Sequence, residues 1–312
     1  MTRPLRIAVT GRQGQVVSAL RERARAPGAT AATIIPLGRP ELDLVDPDSV
    51  ARALAPGLFD VIVNAAAYTA VDQAETDEAA AFAVNAAGAE AVARAAARAG
   101  APLIHLSTDY VFAGDATRPY REDDAVGPTG VYGRSKCDGE RRVALQTRNC
   151  AIIRTAWVYS PFGANFVRTM LRLGRTRAEV GVVADQIGNP TAALDLADAI
   201  LAMAHRLAND SSAALRGVFH LAGAGAASWA DVAEVIFAAA AAAGRAPVRV
   251  RRLATADYPT AARRPANSRL DGAKLAATYG VSLPFWRTSL TPCVTRLLAE
   301  DACAIPRHPG KD

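Results

Sequence analysis

A tyrosine and a lysine stand four residues apart in VYGRSK, at Tyr132 and Lys136. On a helix, positions i and i+4 share a face, so a phenol and an ammonium can converge on one point. An ammonium beside a phenol stabilises the phenolate and lowers the barrier to exchanging a proton with a carbonyl or alcohol oxygen. The spacing alone is common. It gains weight from STD (107–109), which closes the apolar run PLIHLS. That run reads as a strand, and doubly wound sheets hold their ligands at the C-terminal ends of strands. Thr108 can then hydrogen-bond the same substrate oxygen as Tyr132.

A third component lies near the start of the chain, where TGRQGQVV (10–17) follows the apolar run LRIAV. A strand, TGxxG and then a helix bring backbone amides close to a pyrophosphate, whose charge meets the free N–H groups of the helix N-terminus. The expected cofactor contacts here are Gly11, Gln13, Gly14, Gln15 and Val16. Val17 stands where a third glycine normally allows close helix packing. The second strand ends in LGR rather than in an acid. An acid would hold the ribose 2′-hydroxyl of NAD, whereas Arg39 can pair with a 2′-phosphate, which favours NADPH and leaves NADH open. Of the 36 basic residues only Lys136, Lys274 and Lys311 are lysines. In a chain that uses arginine almost everywhere else, an ammonium at Lys136 stands out. Lys274 is expected to serve a helix or domain contact.

The elements that must position these groups alternate. Strand signals at 5–9, 33–38, 61–66, 102–107 and 150–155 are separated by helix signals at 14–25, 48–54, 76–99 and 134–146. Repeated βα units with apolar strands predict an α/β fold, a doubly wound parallel sheet of the Rossmann type. After Trp157 the pattern changes to helices at 165–174, 191–207 and 229–243 with short strands near 180–184, 217–221 and 248–252. The strand at 217–222 is expected to return to the main sheet. This predicts a dinucleotide-binding domain from 1–157 plus about 191–222, a smaller substrate domain from about 158–190 plus 223–300, and a tail from 301 to 312.

Composition narrows the class. With 51% apolar and 21% charged residues in 312, the chain is of ordinary globular make-up. No apolar run reaches the length of a membrane span, and no leader precedes the strand at Leu5, so no membrane partner is expected. The charge of +6 is scattered rather than clustered, which argues against nucleic acid. Four cysteines without CxxC spacing suit a reducing cytoplasm.

Taken together, these motifs resemble the extended short-chain dehydrogenases/reductases, and within them the dTDP-4-dehydrorhamnose reductases. The resemblance is carried by NAAAYTAVDQAE (64–75), STDYVFAG (107–114), VYGRSK (131–136), RTAWVY (154–159), NFVRTMLRL (165–173), DQIGNPT (185–191) and RRPANSRLD (263–271). It implies NAD(P)H-dependent reduction of the C4 ketone of a dTDP-4-keto-6-deoxysugar. Tyr132 would be the acid and Thr108 would polarise the carbonyl. Lys136 would lower the phenol's pKa and hold the nicotinamide ribose. Ala65, Ala66 and Ala67 would close over the cofactor, with Asp43 and Leu44 near the adenine. Asp109, Tyr110, Trp157, Asn165 and Phe166 would face the sugar nucleotide. Gln186, Pro190, Thr191 and Arg264 would enclose it, with Arg264 a partner for the diphosphate.

Some members hold a metal with glutamates at a dimer interface. The matching positions here are Ala19 and Leu194, which cannot ligate Mg²⁺, so no metal is expected and that mode of pairing is in doubt. A homodimer is left open. Three alternatives carry less weight. An epimerase or dehydratase would usually show the acidic 2′-hydroxyl ligand, and a reductase for another deoxysugar would share these motifs. A non-catalytic subunit on this fold would have lost Tyr132 or Lys136.

Overall fold

Short apolar runs bounded by turn formers become strands buried on both faces when helices cover both sides of a parallel sheet. In the computed structural model, which describes residues 3–27 and 31–304, these runs are β1 (Leu5–Thr10), β2 (Ala32–Leu37), β3 (Val61–Asn64), β4 (Leu103–Thr108) and β5 (Cys150–Thr155). Between them lie α1 (Gln15–Arg23), α2 (Pro47–Ala53), α3 (Val71–Ala74), α4 (Glu78–Phe82), α5 (Ala89–Ala99) and α6 (Val131–Gln146). The second half continues with β6 (Val158–Tyr159), α7 (Phe166–Leu173), β7 (Glu179–Val183), β8 (Ile187–Gly188), β9 (Thr191–Ala192), α8 (Ala193–Asn209) and β10 (Gly217–His220). It closes with β11 (Ala227–Ser228), α9 (Trp229–Ala242), β12 (Arg249–Leu253), β13 (Asn267–Ser268), α10 (Ala273–Tyr279) and α11 (Trp286–Ala304).

The main sheet has the order β10-β5-β4-β3-β1-β2, with every pair parallel. This is the expected doubly wound α/β sheet, and β10 joins its edge as anticipated. The strand order reverses between β1 and β3, which opens a crevice outside their C-terminal ends. One face of the sheet packs Ile7, Val9 and Val63 against Val17 and Leu20 of α1 and Leu196 and Ile200 of α8. The other packs Ala8, Ile62 and Leu103 against Val50 of α2 and Val92 and Ala96 of α5. A separate core joins α7, β7, α9 and α11 through Val167, Met170, Val182, Ile236, Phe237 and Val294.

Local chemistry sets the helix ends. The Asp46 carboxylate accepts from the amides of Asp48 and Ser49 to start α2. Ser228 and Asp231 form a reciprocal capping box at α9, and Gly100 closes α5 in the left-handed region.

Three expectations need correction. The helix foreseen over 76–99 is interrupted by a π-helical segment, Ala83–Gly88, because Asn85 turns its side chain into the protein. The helix carrying Tyr132 begins at Val131 rather than near Arg134, because Glu75 of α3 accepts the Val131 N–H at 2.8 Å and caps it from a distance in sequence. Residues 301–304 belong to α11 rather than to a tail, and the segment RHPGKD (307–312) lies outside the described residues.

Candidate active site

The crevice between β1 and β3 is built to admit an anion. Gly11 follows β1 with φ of +100°, a conformation open to glycine, and its N–H donates to the Leu37 carbonyl at 2.6 Å. Gly14 caps α1, and a Cβ placed there would meet nothing within 4 Å. No side chain caps α1 and no acid lies in its first turn, so its leading amides face open space. A pyrophosphate fits this cradle on charge and on room. Val17 does not obstruct it. Its side chain is buried and would touch a Cβ on Gly11 at 3.4 Å, so it packs beneath the turn, away from the phosphate side.

Beside the turn lies a cavity of about 410 Å³ lined by Gly11, Arg12, Gly38, Arg39, Asp43 and Leu44, among others. Arg39 is exposed at its rim. Arg12, which sequence reasoning missed, shares the cavity and pairs with Glu41. The loop over the crevice is fixed from below: the amides of Ala65 and Ala66 each donate to Thr10 Oγ1 at 3.0 Å. Thr10 donates to Asn64 Oδ1 at 2.7 Å, and Asn64 Nδ2 meets His105 Nδ1 at 3.0 Å. Burial holds the His105 imidazole well below its usual pKa. Ala67 lines the adjacent cavity, while Gln13 is exposed and Val16 half-buried on the turn.

Two cofactor-side expectations change. The Gln15 side chain turns away, accepting from Ser160 Oγ at 2.8 Å and donating to the Val158 carbonyl at 3.4 Å. Only its backbone remains for phosphate. The Asp43 carboxylate accepts from Val45 N at 3.2 Å, so it shapes the cavity wall through its own turn.

The proton-handling groups assemble at the ends of β4 and α6. Thr108 is the last residue of β4, and its Oγ1 accepts from Tyr110 N at 3.2 Å and donates to Asp109 Oδ1 at 3.0 Å. Tyr132 stands opposite, its ring edge-on to Tyr110 with centroids 5.5 Å apart. Burial pushes the phenol up to about 12, the contact with Thr108 opposes this, and Asp109 adds to it. Lys136 lies one turn further along α6, fully inside, and donates to the Leu106 carbonyl at 2.6 Å. Burial lowers its ammonium to about 8, against a smaller opposing pull from Glu140. The phenol stays protonated because burial outweighs its neighbours.

Asp109 is buried and raised to about 6 by desolvation, with the Ser268 and Thr108 hydroxyls opposing. Its Oδ2 has no well-formed hydrogen bond among the described residues. Two glycines let α6 approach this closely: a Cβ on Gly133 would collide with the Tyr110 carbonyl, and one on Gly139 with that of Asn85.

The residues expected around a sugar nucleotide divide into two groups. Tyr110 faces both Tyr132 and the charge of Arg264. Arg264 donates to Asp72 Oδ2 at 2.6 Å, and its Nη1 is buried without a partner among the described residues, which suits an anion. Trp157 stacks on Trp229, and Phe166 tilts against that same ring. Gln186 is buried and donates to Thr255 Oγ1 at 3.1 Å, and Pro190 is buried with its carbonyl against Gly223.

The others are committed elsewhere. Asn165 caps α7 through Oδ1 and donates Nδ2 to the carbonyls of Ser160 and Phe162. Thr191 is fully buried, donates to the Asn189 carbonyl and accepts from Gly223 N. The Asn165 amide hydrogens and the Thr191 hydroxyl are thus committed within the protein. Lys274 donates to the Val218 carbonyl at 2.8 Å, the contact role foreseen for it.

Sequence reasoning missed Asn85 and Trp229 as well. Asn85 accepts from Tyr68 N at 2.8 Å and donates to Tyr68 O at 3.1 Å and to Ser135 Oγ at 3.0 Å. It thereby ties the loop after β3 to the helix of Tyr132 and Lys136. An asparagine inside an alanine-rich helical run was the available signal, since its side chain competes with helix hydrogen bonds.

The chain is similar to known proteins over nearly its whole length. A family model described as "RmlD substrate binding domain" matches residues 5–299. A dTDP-4-dehydrorhamnose reductase of Sinorhizobium fredii is 49% identical over 95% of this chain and 99% of its own. The Burkholderia thailandensis protein of that name is 43% identical over 95% and 100%. Among solved structures, the Bacillus anthracis dTDP-4-dehydrorhamnose reductase in complex with NADP superposes with a TM-score of 0.85 at 35% identity, covering 94% of this chain and 99% of that one. A Clostridium acetobutylicum enzyme of the same name gives 0.86 at 34%, covering 94% and 100%.

Proposed function

The chain belongs to the RmlD substrate-binding family of dTDP-4-dehydrorhamnose reductases, and on that premise we propose that it reduces the C4 ketone of dTDP-4-dehydro-L-rhamnose to dTDP-L-rhamnose. The observation that carries the reading is the meeting of a protonated Tyr132, the Thr108 hydroxyl and Lys136 beside an open phosphate cradle. NADPH bound in that cradle supplies hydride. Tyr132 gives the ketone oxygen its proton, and its raised pKa keeps that proton available at neutral pH. Thr108 turns its O–H from Asp109 to the same oxygen. Lys136 leaves the Leu106 carbonyl to hold the nicotinamide ribose. Arg264 Nη1 meets the diphosphate, with Tyr110, Trp157, Phe166, Gln186 and Pro190 as the surrounding wall.

We assign cofactor binding to 1–157 plus about 191–222, and sugar-nucleotide binding to about 158–190 plus 223–300. We propose a cytoplasmic location, which the free thiols of Cys137, Cys150 and Cys293 suit; separately, no described helix is long and apolar enough to cross a membrane.

The test is NADPH consumption with enzymatically prepared dTDP-4-dehydrorhamnose. Turnover with formation of dTDP-rhamnose supports the reading, and none with folded protein removes it. Arg39→Ala is expected to weaken NADPH at least about ten-fold while changing NADH little, a loss of about 1.4 kcal/mol. Equal losses for the two cofactors would refute a 2′-phosphate role.

A further inference from the structure

We infer that Trp229 is a positioning residue, which clamps Trp157 in a left-handed backbone conformation and so fixes the indole edge that faces the sugar-nucleotide pocket. The inference rests on the functional reading above for the identity of that pocket. Trp157 has a φ of 50° and is the one non-glycine residue with positive φ among those described. For a bulky side chain this is a strained conformation, held only when its surroundings over-determine it. It sits just past β5, where the chain leaves the main sheet.

Both faces of the indole are occupied. On one, Trp229 stacks with ring centroids 3.6 Å apart and planes within 8°. On the other lies the backbone of Gly188, where a Cβ would stand 2.5 Å from Trp157 Cε2 and 2.8 Å from both Cζ2 and Nε1. Those near-equal distances place Gly188 above the ring rather than beside its edge. A ligand can therefore meet only the edge of Trp157, not its face.

Trp229 is itself anchored. It is the first residue of α9, inside the Ser228–Asp231 capping box. Arg252 donates to Asp231 Oδ1 at 2.8 Å and to Ser228 Oγ at 3.2 Å. Phe166 covers the ring further, with centroids 4.6 Å apart. The Trp157 carbonyl accepts from Thr191 N at 3.1 Å, which ties the strained residue to β9. The stack thus joins the exit of the cofactor-binding sheet to the first turn of α9.

The experiment compares wild type with Trp229→Ala, Trp229→Phe and Trp157→Phe. Stacked indoles give an exciton couplet in far-ultraviolet circular dichroism. Wild type is expected to show it, and each of the three variants to lose it. Kinetics with dTDP-4-dehydrorhamnose should show KM raised about ten-fold in Trp229→Ala, the scale of one aromatic pair. NADPH affinity should stay within about two-fold, since Gln15 of the phosphate cradle meets this segment at Val158 and Ser160 and not at either indole. Trp229→Phe, which keeps a ring on Trp157, should recover most of the sugar KM.

Absence of the couplet in wild type overturns the clamp outright, whether or not that sugar is turned over. An unchanged sugar KM in Trp229→Ala overturns the positioning role, as does an equal loss of NADPH affinity or a failure of Trp229→Phe to restore KM. If wild type shows the couplet but does not turn over the sugar, the functional reading fails, and the positioning role fails with it.

Discussion

At Tyr132 the balance between burial and neighbours decides the chemistry. A phenol raised to about 12 is a proton donor throughout the neutral range, as reduction of a ketone requires. Tyr132→Phe is expected to cut kcat by about 10²–10⁴-fold while NADPH binding, followed by fluorescence titration, stays near the wild-type value. Lys136 carries its proton below about pH 8 and loses it above. The profile of kcat/KM should accordingly fall as pH rises through about 8, and Lys136→Met should abolish that limb along with most activity. Asp109 has the opposite sign in its effect on stability. Its folded pKa of about 6 exceeds the ordinary 3.8, so the fold holds this proton more tightly than the unfolded chain does. Stability from this group is full below about pH 4 and is lost as pH rises through 6, by about 3 kcal/mol. Asp109→Asn should regain up to that amount in urea unfolding at neutral pH and nothing near pH 3.

At the scale of elements, α6 carries Tyr132 and Lys136, and three neighbours hold it in place: Glu75 at its start, Tyr110 against Gly133, and Asn85 against Gly139. Gly139→Ala is expected to cost about 1–3 kcal/mol by forcing α6 off the π-helical segment, with kcat falling more than NADPH affinity. A neutral change in thermal unfolding would contradict the close approach. Much of this architecture was legible in the sequence. The strands at 5–9 and 150–155 announced themselves as apolar runs, and YxxxK revealed its own face. What stayed hidden depends on long-range contacts. The start of α6 is set by Glu75, 56 residues away. The interruption at Asn85 is set by backbone groups at Tyr68 and a hydroxyl at Ser135. Periodicity cannot report either. Asn165 shows a related limit: a polar residue before a helix can cap it or face a ligand, and the structure shows that it caps α7.

At the scale of the molecule, the sheet and the second core meet along Trp157, the Gln15–Ser160 hydrogen bond and the Asp72–Arg264 pair. With Asp72 47% exposed, the ion pair should contribute under about 1 kcal/mol to stability. Asp72→Ala should shift unfolding little. Arg264→Ala should raise KM for the sugar nucleotide about ten-fold or more if its free Nη1 meets the diphosphate, and equal kinetic effects of the two variants would remove that role. The central claim is that this crevice delivers hydride to a sugar ketone while Tyr132 protonates its oxygen. The most direct measurement is turnover of dTDP-4-dehydrorhamnose with NADPH deuterated at the transferable position, followed by mass and NMR analysis of the product. The account expects one deuterium at C4 of dTDP-rhamnose from wild type and almost no product from Tyr132→Phe; product without C4 deuterium, or undiminished product from the variant, would contradict it.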